Sequence, residues 1–588
     1  MTYKFKNIIT LKLKLKVLWF VIIFTNTNLL LAQDKEKDTL DQQVVNVVKP
    51  YQPSVADAFK IKERPKIDDS ITTQKKPVKY SIFSIPVAST FTPAKGKAAT
   101  IEPEQKQRIY NNYACLGAGS YTTILGEFFV NHDLNDSESI GAYINHHSSN
   151  GGIDDIVLDN NFSVSQANLY FSQGLRNLNW KIDAGVDLQS YNWYGTRLQL
   201  TQNQIDNFDS QQQYSTFYGG GTINFEDGIL KKVKAKFTHF NDNFDSSENR
   251  FTSAVNFSLP VLADGLNTEV SFDYLDGGFT NRFFANNTLN YGNIILGISP
   301  SVNLQQGELN LNLGAQVVYY NDFESNDNKL FFYPQVNASY PLVEDMIETY
   351  AGVKGGLFQN SYQQFASENP FVSPTLFITP TDQQYQGFLG FRGKLSNSVN
   401  YDINASYGSE KNKALFQSNT INIGITPNTF FAGNSFTIVY DDVKTLNISG
   451  ALQVNINQNF KLSLVADYFN YETSVNEYAW NLPNITGRLQ VEYDISKAWF
   501  AGSSLFYTGE RKELLSTFGG IISPSFNTEV KTIESFIDAN AHVGYRINDQ
   551  FTAFVKGNNL SGQNYEQWTG FLVQGIQILG GVIYQFDF

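Results

Sequence analysis

From about residue 110 onward, apolar and polar side chains alternate with a period of two, and the connections between the alternating runs are by turns short and long. In Leu309 to Val317 and in Val399 to Tyr407 every odd position is apolar and every even one is polar or Gly; Leu446 to Ile456 keeps the same rhythm. Between Ile537 and Ile547, Asp538, Asn540, His542 and Arg546 share one face, and Ile537, Ala539, Ala541, Val543 and Tyr545 share the other. A period of two is a strand signal. A soluble β-sandwich alternates too, so the connections decide. Short ones fall at Asp133–Ser137, Leu175–Leu178, Asp227–Leu230, Ala263–Asn267, Gln305–Glu308, Val343–Asp345, Ser396–Ser398, Asn457–Asn459, Ser496–Lys497 and Asn548–Gln550. Long polar ones fall between them, at 148–160, 192–212, 241–249, 277–287, 321–328, 357–382, 408–442, 470–479, 509–534 and 558–572, with a tighter hairpin at Ser120–Thr122 before the first turn. Turns at one end and loops at the other mark a transmembrane barrel. The expected fold is all-β: a large antiparallel transmembrane barrel over 110–588, of about 22 strands of about 9–11 residues each.

Composition agrees. Across 588 residues, aromatics make up 14% and charged residues 17%, with 47 Phe, 32 Tyr and two Met. Mean hydropathy is −0.27. Past the N-terminus there is no run of about 18 apolar residues, as a helical span would need. A lipid face diluted by a polar lumen face has this balance.

Residues 1–32 have the pattern of a secretory signal, with Lys4, Lys6, Lys12, Lys14 and Lys16 before the apolar stretch from Val17 to Phe24, and a cleavage point after Ala32. Loss of the five lysines takes the formal net charge from −13 to −18, which argues against nucleic acid as a partner. Residues 33–109 hold seven of the 17 prolines. That density suits an extended periplasmic segment. Its apolar islands, Val44, Val45, Val47 and Val48, then Ile82, Phe83 and Ile85, are candidate docking strands for a partner's sheet edge.

The final run, Ile576 to Phe588, alternates to its last residue, with Phe588, Phe586, Tyr584, Val582 and Ile578 on the lipid side. A terminal aromatic on such a strand is the expected signal for the outer-membrane assembly machinery, which places the chain in the outer membrane of a Gram-negative bacterium. The tail Val555-Lys556-Gly557-Asn558-Asn559-Leu560, then Asn564-Tyr565 and Gly575, resembles the end of TonB-dependent receptors. The resemblance covers about 110–588 and implies a 22-stranded barrel that binds or takes up a ligand. Those receptors carry a globular plug before the barrel that is larger than 33–109, so the plug is expected to be missing. Val44 to Val48 is an apolar candidate for a TonB contact. A barrel this wide needs filling: by the proline-rich segment, by loops 357–382 and 408–442, or by a partner.

Chemistry is sparse. Adjacent His146 and His147, near Asp154, Asp155 and Asp159, point to opposite strand faces and chelate poorly. His542 and Asp538 share a face at about 13 Å, too far for a hydrogen bond. No GxSxG, HExxH or P-loop pattern occurs, so neither catalysis, cofactor nor metal is expected. The lone Cys115 reads as a small strand residue. Asp206-Asn207-Phe208-Asp209-Ser210, Asp242-Asn243-Phe244-Asp245-Ser246 and Asn321-Asp322-Phe323-Glu324-Ser325 are read as turn chemistry, with a calcium or sugar surface as the less favoured reading. Loop aromatics, among them Trp193, Tyr194, Phe358, Phe430, Trp480 and Trp568, divide between an interfacial girdle and contacts to glycans or partners.

Two function classes follow. One is a receptor-like barrel that binds or takes up a ligand, with TonB as its periplasmic partner. The other is a non-transporting subunit of an envelope complex, docking periplasmic proteins through 33–109 and surface lipoproteins through its loops.

Overall fold

The computed structural model describes residues 110–588, except 262–264, 284, 286, 345, 423–428, 458 and 520–525. The signal, the 33–109 segment and the docking candidates Val44, Val45, Val47, Val48, Ile82, Phe83 and Ile85 lie outside the described residues.

Twenty-two strands pair antiparallel into one closed sheet. The first strand, Asn112–Gly119, closes on the last, Gln577–Phe586, in register from Asn112↔Phe586 to Gly119↔Leu579. Closure removes every free edge, the condition for a sheet in lipid. The turns at 307–308 and 397–398 and the loops at 193–210 and 359–380 fall where the spacing placed them.

Two expectations need correction. Strands are not uniformly about 9–11 residues: Val399–Ser418 has 20 and Phe436–Asn457 has 22, so the loop expected over 408–442 shrinks to 419–435. About 11 residues cross a bilayer; the rest projects past it, its backbone still satisfied by the ladder between the two strands. The last ladder ends at Phe586, so Phe588 stands two residues beyond it.

The outward face is apolar. Leu389, Ile403, Ile448, Leu464, Leu505 and Val582 are all exposed there, and such a belt is stable against lipid rather than water. Aromatics bound it. Trp499 packs on Tyr545 with centroids 4.8 Å apart, and Phe551 on Tyr584 at 4.6 Å, at the short-turn end. Tyr507 lies on the same strand and face as Trp499, eight residues on, or about 27 Å of tilted strand. A tilted strand crosses the apolar layer in about 9–11 residues.

The inward face changes character along its length. On Leu230–Asp242 it runs Lys232, Lys234, Lys236, Thr238, then Phe240. On Leu266–Phe279 it runs Glu269, Ser271, Asp273, then Leu275 and Phe279. On these two strands polar side chains line the short-turn half, and apolar ones line the long-loop end.

Candidate functional site: a loop core across the mouth

Strand ends and loops from around the barrel meet in one buried apolar core at the long-loop end. Trp193, Tyr214, Phe240, Leu275, Phe279, Tyr291, Tyr362, Phe365, Phe430, Phe436 and Phe571 belong to it. Its parts come from loops 193–210, 359–380, 419–435 and 559–576, which the sequence separates widely and the barrel brings to one opening.

The loop 359–380 contains a short helix, Tyr362–Glu368, that the period-two reading missed. Ser361 starts it, its hydroxyl accepting from Gln364 N, and Tyr362, Phe365 and Ala366 form the buried side. That i, i+3, i+4 spacing was legible as a helical face. The buried Glu248 holds the helix to the barrel wall, accepting from Tyr362 N at 2.6 Å, Gln363 N at 3.3 Å and Tyr291 OH at 2.8 Å. Tyr362 OH donates to Asp242 at 2.7 Å, and Tyr214 OH donates to Pro370 O at 3.0 Å.

Loop 193–210 reaches across to 419–435. Arg197 donates to Gly433 O at 3.2 Å, and to Ser418 Oγ and Asn419 O, each at 3.1 Å. Asn434 donates back to Trp193 O at 2.8 Å. Tyr194 OH donates to Leu572 O at 2.8 Å, and Phe371 stacks on Phe571 with centroids 3.6 Å apart. Gly570 sits at φ +80°, where a Cβ would lie 2.5 Å from Gly195 O, so this crossing requires glycine.

Beside this core, the hairpin Arg511–Phe518 with Phe526–Ile533 buries Glu513. The Glu513 carboxylate accepts from Ser418 N at 3.0 Å, Leu514 N at 3.0 Å and Asn481 Nδ2 at 2.8 Å. Burial raises its pKa to about 7, against the pull of these donors and of Arg197.

Of the six loop aromatics singled out, Trp193 and Phe430 lie in the core, with Tyr194 and Trp568 packed against it. Trp480 joins a smaller cluster with Leu415 and Ala479, and its Nε1 donates to Asn476 Oδ1 at 3.0 Å. Phe358 is exposed. Two of the three Asn/Asp-Phe loop segments, 242–246 and 321–325, act as turns. Asp242 Oδ1 accepts from Phe244 N and Ser246 N, each at 2.9 Å, and Asp322 Oδ1 accepts from Glu324 N and Ser325 N, also at 2.9 Å. The Phe244 so placed packs between Trp193 and Phe430. His146 pairs with Ser165 and Ser148, His147 packs on Phe162, and His542 approaches Glu492 at 3.4 Å. Phe588 packs edge-on to His132, and Phe586 and Tyr584 stack on one another.

No protein-family model and no curated protein matches the chain. Solved structures share its fold. The pyoverdine outer membrane receptor FpvA from Pseudomonas aeruginosa PAO1, bound to pyoverdine, is 14% identical over 82% of this chain and 79% of that one, with a TM-score of 0.59. The ferric-catecholate import receptor Fiu from E. coli K12, in a closed form, is 10% identical over 82% of each chain, with a TM-score of 0.57. The siderophore receptor PirA from Acinetobacter baumannii is 12% identical over 81% of this chain and 80% of that one, with a TM-score of 0.58. At these identities the likeness is one of fold.

Proposed function

We propose that the chain is a ligand-binding or uptake barrel of a Gram-negative outer membrane, with its long loops at the cell surface and its loop core acting as the gate. The observation that carries this reading is the apolar core across the mouth of a 22-stranded barrel. A barrel of that width is a hole unless something fills it, and here the loops themselves converge over one end. The proteins whose fold it shares are siderophore, pyoverdine and ferric-catecholate receptors, and a small ligand received from outside suits the same architecture. Trp193 Nε1 and Asn369 Nδ2 are buried in the closed loops without a hydrogen-bond partner among the described residues. An unpaired buried donor costs about 1–3 kcal/mol, so the closed arrangement is one that a ligand with matching acceptors can displace. Under this reading, Val44 to Val48 engages TonB or another periplasmic protein, and Phe588, Phe586 and Tyr584 are read by the assembly machinery.

The full mature chain in a planar bilayer tests it. The expected record is a quiet membrane without ligand; a stable open pore of nanosiemens scale would sink the gate.

A further inference from the structure

The lumen wall of the short-turn half is not uniform in charge. Three of its arginines are paired, Arg250 with Asp273 at 2.6 Å, Arg392 with Glu348 at 2.8 Å and Arg546 with Asp494 at 2.7 Å, and Arg488 lies over the Phe506 ring at 5.3 Å. Lys232, Lys234 and Lys236 are different. All three stand on one face of one strand and are exposed, with no ion pair among the described residues. Their neighbours on the flanking strands are Asn224, Thr222 and Gly220 on one side and Asn256, Ala254 and Thr252 on the other, all neutral and short. Lys181 extends the patch from two strands away, opposite Thr222. It lies 4.1 Å from the Tyr170 ring centroid, as Lys236 lies 4.4 Å from that of Tyr218, so rings rather than carboxylates hold these ammonium groups in place. The lumen acids two strands from this column are Asp183, Glu269 and Asp273; Glu269 accepts from Asn256 at 2.9 Å and Asp273 is held by Arg250.

Three like charges at about 7 Å steps repel one another, and a concave, low-dielectric wall focuses their field. We infer that this lysine column is a binding wall for a multivalent oxyanion, a ligand carrying several phosphates or carboxylates, on the short-turn side of the loop core. It supplies a ligand chemistry to the receptor reading and rests on that reading for its biological use. The wall itself is testable without transport.

Tripolyphosphate is the probe, titrated calorimetrically into the full mature chain in neutral detergent, with acetate as the single-charge control. Binding is expected to weaken steeply with salt, and tripolyphosphate should protect Lys232, Lys234 and Lys236 from acetylation as read by mass spectrometry. The K232Q/K234Q/K236Q variant should lose about ten-fold in affinity, about 1.4 kcal/mol, while K232R/K234R/K236R retains it. Equal affinity in the glutamine variant, or no binding by the native chain, overturns the inference. An open pore that still binds tripolyphosphate through these lysines removes the gate and leaves the wall. A closed barrel that does not bind it removes the wall and leaves the gate.

Discussion

The two ends of a single strand show how one sequence rhythm serves two different solvents. On Leu230–Asp242 the lumen face is Lys232, Lys234 and Lys236 near the short turn, then Phe240 in the loop core. On Leu266–Phe279 the same face carries Glu269 and Asp273 near the short turn, and Leu275 and Phe279 are buried at the far end. In the short-turn half lipid solvates the outside and the inside stays polar, so stability rests on the ladder and the apolar belt. At the long-loop end the loops cover the inner face and make it a water-excluding core of the kind found in soluble domains. The barrel is thus two structures on one sheet. The first needs a membrane; the second needs only its own side chains.

The strongest test of that division is Trp193→Ala. Trp193 is fully buried against Phe244 at 5.4 Å and Phe430 at 5.5 Å. Truncating a buried Trp costs about 3–5 kcal/mol. The loops are expected to open, with ion current in a planar bilayer and faster proteolysis within 193–210. Amide exchange in the short-turn half should stay as slow as in the native chain. If exchange accelerates everywhere together, the two regions are one cooperative unit and the division is wrong.

A second pair of substitutions probes the opposite half. Leu464 faces lipid and its neighbour Ser463, on the same strand, faces the lumen between Gln453 and Gln490. Leu464→Arg should cost about 2–4 kcal/mol in denaturant unfolding from lipid vesicles, and Ser463→Arg close to nothing. Neither should alter loop proteolysis. Equal costs at the two positions would mean that the face assignment has slipped by one residue.

The barrel half was legible because its rule is local. In lipid, a strand must alternate and its connections must sort into turns and loops, so Leu309 to Val317 and the turn at 307–308 declare themselves without any partner being known. The loop core was not legible in that way. Trp193, Phe430 and Phe571 are brought together by closure of the ring, and no pattern in one segment points to the others. One signal was present. The face carrying Lys232, Lys234 and Lys236 turns apolar at Phe240, as that of Asp273 does at Leu275 and Phe279. A lumen face that becomes apolar before its loop begins must be covered by something, and that change of character marks the core. The overhang of Val399–Ser418 and Phe436–Asn457 was hidden by its polar middle, Gly408 to Lys413 and Asp441-Asp442, which reads like loop.

The smallest expected effect distinguishes the two regions by pH. Glu513 lies in the loop layer, outside the membrane-crossing strands, with its pKa raised by burial from 4.5 to about 7. Below about pH 4.5 the carboxyl is protonated whether the hairpin is closed or open. Between there and pH 7 the open form loses its proton first, so closure weakens as pH rises, and above pH 7 the loss is complete. A shift of this size is worth at most about 3 kcal/mol. Loop opening, read as the rate of proteolysis within 509–535, should therefore rise with pH across that interval and level off above it. Glu513→Gln keeps a neutral acceptor for Ser418 N and Leu514 N and should flatten the profile. The short-turn half should show no such interval in either protein. A native profile that stays flat, or one that falls as pH rises, would show that the donors around Glu513 hold it ionised and that burial does not set its charge.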